Sequence, residues 1–371
     1  MRAALLALLL AGCPPTLSRP ESEAHLDALA AGERHYRHGR WDESAEAFAG
    51  AADAAERRVD EDEARYRRSR ALRRAGRHAE AVEVLDAIAA REPPSRRTAR
   101  ALFDAALLRM EELGDRPAAL EGFERVLSEH ADSGLAGRAL HHRLGAFGEG
   151  EEATKEAFLR RLDRELAATR LHDDVLWALH DLHAEAEDRA GARRALERIV
   201  AEHPYPQGHR WDDAILRLAE MDVEDGRPRD AIARLEAMLE RSEDTTVVGS
   251  YTLPAFIEAQ LTIARLHRDA GDRDAAARAY RAVYDDFPRS TLRDDALTEL
   301  GEMQLGAGER EAGCETLLEV ALEFEVGRAR RRAAERLGVD CPEEAAELAE
   351  EEAERAREAA EAEASEGRDD G

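Results

Sequence analysis

Along most of the chain, apolar residues return three and four positions apart, the spacing that lines one face of an α-helix. One phrase punctuates this pattern: a glycine, a charged residue, a small residue five positions after the glycine, and a bulky apolar residue four beyond that. Gly39-Arg40-Trp41 leads to Ser44 and Phe48, Gly76-Arg77 to Ala81 and Leu85, and Gly114-Asp115 to Ala119 and Phe123. Gly226-Arg227 leads to Ala231 and Leu235, Gly271-Asp272 to Ala276 and Tyr280, and Gly308-Glu309 to Gly313 and Leu317. Two weaker copies fill the gap, at Gly150 with Leu159 and at Glu187 with Ala192 and Leu196. Successive anchors are 37, 38, 36, 37, 39, 45 and 37 residues apart, so the phrase is a structural repeat.

Each copy predicts two amphipathic helices joined by a tight turn. Glycine ends the first helix, where a left-handed backbone carries no Cβ penalty. The small residue early in the second helix lets the pair approach closely, and bulky residues three and four apart fill the groove. Pro93, Pro204 and Pro288 end second helices. Composition agrees. Ala, Leu, Glu and Arg dominate, all strong helix formers, and aromatics are 5%, which excludes an all-β fold. Hydrophobic residues at 43% suffice for a core, and the 371 residues belong to one elongated array rather than two globular domains.

The period and the residues resemble the tetratricopeptide repeat, of ~34 residues with a W…LG…Y…A…F…P signature. Leu300-Gly301, the small residues Ser69, Ala219 and Ala264, and the prolines stand at signature positions, while the signature aromatics are often Leu, His or Arg. Phe287-Pro288-Arg289-Ser290 with Asp295-Ala296, and more faintly Glu129 to Ser133, resemble the junctions of envelope tetratricopeptide lipoproteins. The resemblance covers residues 25–325. It implies an all-α solenoid of about eight antiparallel helix pairs wound into a superhelix, whose concave face takes peptides or protein segments.

Residues 326–341 read as a capping helix, with Arg328, Arg330, Arg331, Arg332 and Arg336 giving a polar outer face. Residues 342–371 are an acidic Ala/Glu-rich tail. From 343 onward it holds 13 acids against 3 arginines, with Leu348 its one large apolar residue. A helix polar all round has nothing to pack, so frayed helix or disorder is expected.

The first residues point to a compartment. Met1-Arg2 precedes an apolar stretch too short to span a bilayer, which takes about 20 residues. Leu10-Ala11-Gly12-Cys13 resembles a bacterial lipobox, which implies a signal peptide over 1–12, lipid on Cys13, and a tether over 13–24. Pro14-Pro15 forbids one helix continuing through the cysteine. Pro14, in place of the inner-membrane retention aspartate, implies the outer membrane facing the periplasm.

Charge and chemistry narrow the function. The net charge of −27 argues against nucleic acid as a partner. Lys155 is the only lysine, as arginine codon choice in a GC-rich genome produces, and no Gly-rich Lys-Ser/Thr phosphate loop exists. Gly-x-Ser-x-Gly, His-Glu-x-x-His and Cys-x-x-Cys are all absent from the sequence. His172, His180 and His183, among Asp173, Asp174 and Asp181, suggest either a metal site or core histidines with local partners; the repeat register favours the latter. No catalytic, cofactor or metal residues are assigned.

In the repeat register Cys314 and Cys341 fall on one edge of the stack, so they either form a disulfide closing its end or remain thiols. Arg70, Arg73 and Arg74 fall on the inner face of the second copy, whereas Asp181, Glu185, Glu220 and Glu224 line later ones. The carboxylate-clamping Lys/Asn set of some relatives is missing. The two longest junctions carry Tyr205, Trp211 and Tyr251, either as interface anchors or, for Trp211, as packing at a helix start. The expected function is a membrane-anchored, non-enzymatic scaffold or adaptor for protein partners at the bacterial envelope. The alternative is a periplasm-facing module that captures peptide or cell-wall ligands.

Overall fold

A computed structural model describes residues 22–241, 253–324 and 326–369. Cys13 and Tyr251 lie outside these. Among the described residues there are eighteen helices and no strand. They divide into two compact units, one ending at Val175 and one beginning at Leu176.

The first unit is a succession of helical hairpins: α1 (Glu23–Arg37) with α2 (Trp41–Asp53), α3 (Arg58–Arg74) with α4 (His78–Ala89), and α5 (Thr98–Glu111) with α6 (Arg116–Glu129). α7 (Ala136–Leu144) and α8 (Glu152–Glu165) follow, then the start of α9 (His172–Glu185). Neighbours in this order from α1 to α7 pack on one another. The second unit takes the rest of α9 and α10 (Arg189–Glu202), then α11 (Trp211–Glu224) with α12 (Pro228–Leu239) and α13 (Leu253–Asp269) with α14 (Arg273–Asp286). α15 (Arg293–Gly306) with α16 (Arg310–Glu323), α17 (Arg328–Asp340) and α18 (Pro342–Asp369) complete it.

The repeat phrase is the hairpin. The turns at Gly39, Gly76, Gly114, Gly150, Gly226, Gly271 and Gly308 have φ between 67° and 86°, and the turn without glycine puts Glu187 at 58°. The small positions Ser44, Ala81, Ala119, Ala192, Ala231 and Ala276 are buried, as are Phe48, Leu85, Phe123, Leu196, Leu235, Tyr280 and Leu317 four residues on. Close approach is their purpose. Ser44 donates its hydroxyl to the Gly32 carbonyl at 2.9 Å, and a Cβ built on Gly32 would stand 2.6 Å from the Phe48 ring. In the last hairpin, a Cβ on Gly313 would meet the Gly301 carbonyl at 2.9 Å.

Arginine does a second job. Side chains about one repeat apart in sequence join first helix to first helix, or second to second. Arg67 reaches Glu33 at 2.5 Å, Arg97 reaches Glu63 at 2.7 Å, and Arg265 reaches Glu299 at 2.5 Å. Arg281 reaches Glu319 at 2.9 Å, and Tyr66 donates to Asp104 at 2.8 Å. Burial first, and then the Asp104 charge, push the Tyr66 hydroxyl up to about 12.

The C-terminal end departs from the expected cap. α17 is not the last packed element, because α18 lies against both α16 and α17. Leu348 is 7% exposed there, so one apolar residue near the start of the acidic helix is enough to seat it. From 349 to 359 the side chains are largely exposed. No described helix is long and apolar enough to cross a membrane.

Candidate functional site

In the first unit, a cavity of about 510 Å³ opens between hairpins and is lined by Tyr36, Arg70, Arg73, Arg74, His78 and Glu112. Tyr36 comes from α1, the arginines from the end of α3, His78 from the start of α4, and Glu112 caps α5. Arg70, Arg73 and Arg74, expected on one face, are thus brought together.

The sequence of α3 explains why these cations gather. Its acids, Asp60 to Glu63, occupy the first turns, where the helix dipole favours negative charge, and its later arginines follow without acids. Arg65 is held by Glu61 at 2.7 Å and Arg67 by Glu63 at 2.9 Å. Nothing acidic remains within the helix for positions 70, 73 and 74. Aromatic faces take that place. The Arg70 guanidinium lies 5.4 Å from the Tyr36 ring centre and that of Arg74 lies 5.9 Å from Trp41. Tyr36 and Trp41 meet edge-on at 4.9 Å. A cation over a ring keeps its N–H edge open to a further partner. Across the cavity, Glu112 is engaged by His78 at 3.2 Å.

The junction candidates separate. Trp211 is a core residue, 3% exposed at the first position of α11, with Tyr205 5.7 Å away and Arg241 over its ring. Of the two readings of Trp211, packing at a helix start is the one its burial matches, and the residue also lines a groove of about 460 Å³. Tyr205 is half-buried and meets Phe256 edge-on at 6.3 Å. The inner-face acids of the later copies are engaged: Glu224 with Arg189 and Arg217, Glu220 with Arg217, and Asp181 with His180.

The histidines have local partners. The buried His172 ring bonds Asp163 at 2.8 Å, His180 bonds Asp181 at 2.9 Å, and His183 lies 3.0 Å from Asp188. Cys314 in α16 is joined to Cys341, the residue after α17, in a disulfide with Cα atoms 5.7 Å apart. Both cysteines are buried, and Glu344 lies near them, but sulfurs bonded to each other offer no thiolate to a metal.

Two features escaped the sequence reading. One is the stacking of Arg70 and Arg74 on Tyr36 and Trp41, for which the only signal was an aromatic pair bracketing the first turn. The other is a buried node in the second unit. Asp222, 1% exposed, accepts from Arg193 at 2.9 Å, Arg227 at 2.7 Å and Arg234 at 3.0 Å. Burial raises its carboxyl, and the three guanidiniums more than offset this, holding it below the usual carboxylate range.

The tetratricopeptide repeat family matches residues 63–95, 100–133 and 258–290, less than half of the chain. No curated protein matches. Similar solved structures include the C-terminal part of a TPR repeat-containing protein from Cytophaga hutchinsonii, 13% identical over 72% of this chain and 99% of that one, with a TM-score of 0.41. YrrB, a TPR protein with an unusual peptide-binding site, is 16% identical over 58% of this chain and 99% of its own, at 0.37. Human IFIT1 with PPP-AAAA is 16% identical over 83% and 71%, at 0.34. Likeness at this level carries no argument about ligands. The matched segments coincide with helical hairpins, so residues 63–95, 100–133 and 258–290 are the stretches that match tetratricopeptide repeats, within an all-α fold.

Proposed function

We propose that the protein is a non-enzymatic scaffold or adaptor that binds protein partners at the bacterial envelope, tethered through lipid on Cys13. The observation that carries the binding half is the open groove at Tyr36, Arg70, Arg73, Arg74, His78 and Glu112, where successive hairpins present recognition chemistry without a nucleophile beside a base. The tether is supported by Leu10-Ala11-Gly12-Cys13, and an outer-membrane site facing the periplasm by Pro14. The buried Cys314–Cys341 disulfide suits an oxidising compartment.

Fractionation and affinity isolation from chemically crosslinked envelopes test both halves. The tether predicts that the protein sediments with membranes and that Cys13→Ala releases it. A native N-terminus unmodified at Met1, or Cys13→Ala retained in membranes, contradicts it. The adaptor predicts recovery of a stable protein partner. Recovery of peptidoglycan fragments or free peptides alone favours the capture module instead.

A further inference from the structure

A recurring pattern in this chain ties an arginine to a carboxylate about one repeat away. Arg67, Arg77, Arg97, Arg189, Arg265 and Arg281 all follow it. Among the described residues, other exposed arginines, such as Arg310, Arg328 and Arg331, have no carboxylate partner. Arg70, Arg73 and Arg74 have none either: no carboxylate lies within ion-pair distance of any of them. Three exposed cations side by side repel one another, and here they sit on a chain of net charge −27 that is rich in acids elsewhere. Two of them are oriented by Tyr36 and Trp41, which fixes a guanidinium without using up its hydrogen-bonding edge. The one acid on the wall, Glu112, is held by His78. The groove therefore presents positive charge with unused donor forks at one end of a cavity of about 510 Å³.

We propose that this groove takes an acidic peptide segment of a partner protein, whose Asp or Glu carboxylates are gripped by Arg70, Arg73 and Arg74. The proposal rests on the protein-binding reading above and names the partner's chemistry. Planar guanidinium forks match carboxylates bidentately, and charge-assisted bonds of this kind are the strong ones. A nucleic-acid strand fits less well, because an extended polyanion would run from this local cluster onto a net negative chain.

The test is fluorescence anisotropy with the full chain and a short fluorescein-labelled Glu-Ala peptide, with a Gln-Ala peptide as the uncharged counterpart. The Glu-Ala peptide binds and the Gln-Ala peptide does not. Joint replacement Arg70→Ala, Arg73→Ala, Arg74→Ala weakens binding by at least about tenfold. The equal charge change Arg310→Ala, Arg328→Ala, Arg331→Ala, on exposed arginines of the second unit, alters it by less than about twofold. Replacing the three groove arginines by lysine keeps the charge and loses the forks, giving an intermediate loss in a protein whose helix content is unchanged. Equal weakening by both alanine triples, or equal binding of the two peptides, overturns the proposal. So does a labelled single-stranded oligonucleotide that binds the same arginines more tightly. An envelope partner whose capture survives the groove triple overturns this inference while leaving the adaptor reading intact.

Discussion

Glu187 is the one described non-glycine residue at positive φ, and it stands where seven sister hairpins use glycine. A Cβ in the left-handed region costs about 1 kcal/mol. Glu187→Gly is therefore expected to stabilise the protein by about 1 kcal/mol in urea unfolding, and Glu187→Ala, which keeps the Cβ, to do little. Equal effects of the two would show that the turn is unstrained. Asp222 runs the other way. Removing its charge takes from Arg234 its carboxylate partner, while Arg193 and Arg227 keep Asp225; because those arginines are also partly solvated, Asp222→Asn is expected to cost about 1 kcal/mol. Its carboxyl lies below the usual range when folded, so its contribution is present above the unfolded value of about 4 and is lost as pH falls below it. The variant should show a flatter acid limb in stability against pH. The turn was legible at Glu187 because the weak copy kept its spacing. The Asp222 node was not, since its partners lie 5, 12 and 29 residues away and no local pattern ties them.

Between elements, small residues set how closely helices approach. The Gly313 position touches the Gly301 backbone, so Gly313→Ala should lose about 2 kcal/mol even though alanine favours helix by about 1 kcal/mol. Circular dichroism during denaturation checks this, and a stabilised variant would mean that the last hairpin is looser than it stands here. The hairpins themselves were readable, because the five-then-four spacing is dictated by two helices crossing at a small residue. The ends of the array were less so. Leu348 looked like a single apolar residue in a polar tail, yet it seats α18 on its neighbours; composition averages away one well-placed contact. The inter-repeat ion pairs were hidden for a related reason. A helix polar on its outer face looks the same whether its charges meet water or the next repeat.

For the whole molecule, the Cys314–Cys341 bond closes a 27-residue separation around α17. Loop-closure entropy of that length corresponds to ~3.5 kcal/mol, so reduction should lower the unfolding midpoint of the C-terminal end before the remainder. An unchanged melt under reductant, with two alkylatable thiols beforehand, would show that the pair is not formed in solution. The net charge of −27 likewise resolves into local parts: an acidic helix at one end, and in the first unit three arginines facing a cavity. Sequence spacing put those arginines on one helix end, whereas the cavity, the stacking rings and the His78–Glu112 wall needed three hairpins folded together. The most direct measurement of the central claim is site-specific photocrosslinking in living cells, with the reactive side chain at position 36 or 112 in the groove and at position 278 as control. A discrete crosslinked protein band from the groove positions and none from the control is the predicted result. The same band from all three positions, or none from the groove, would contradict it.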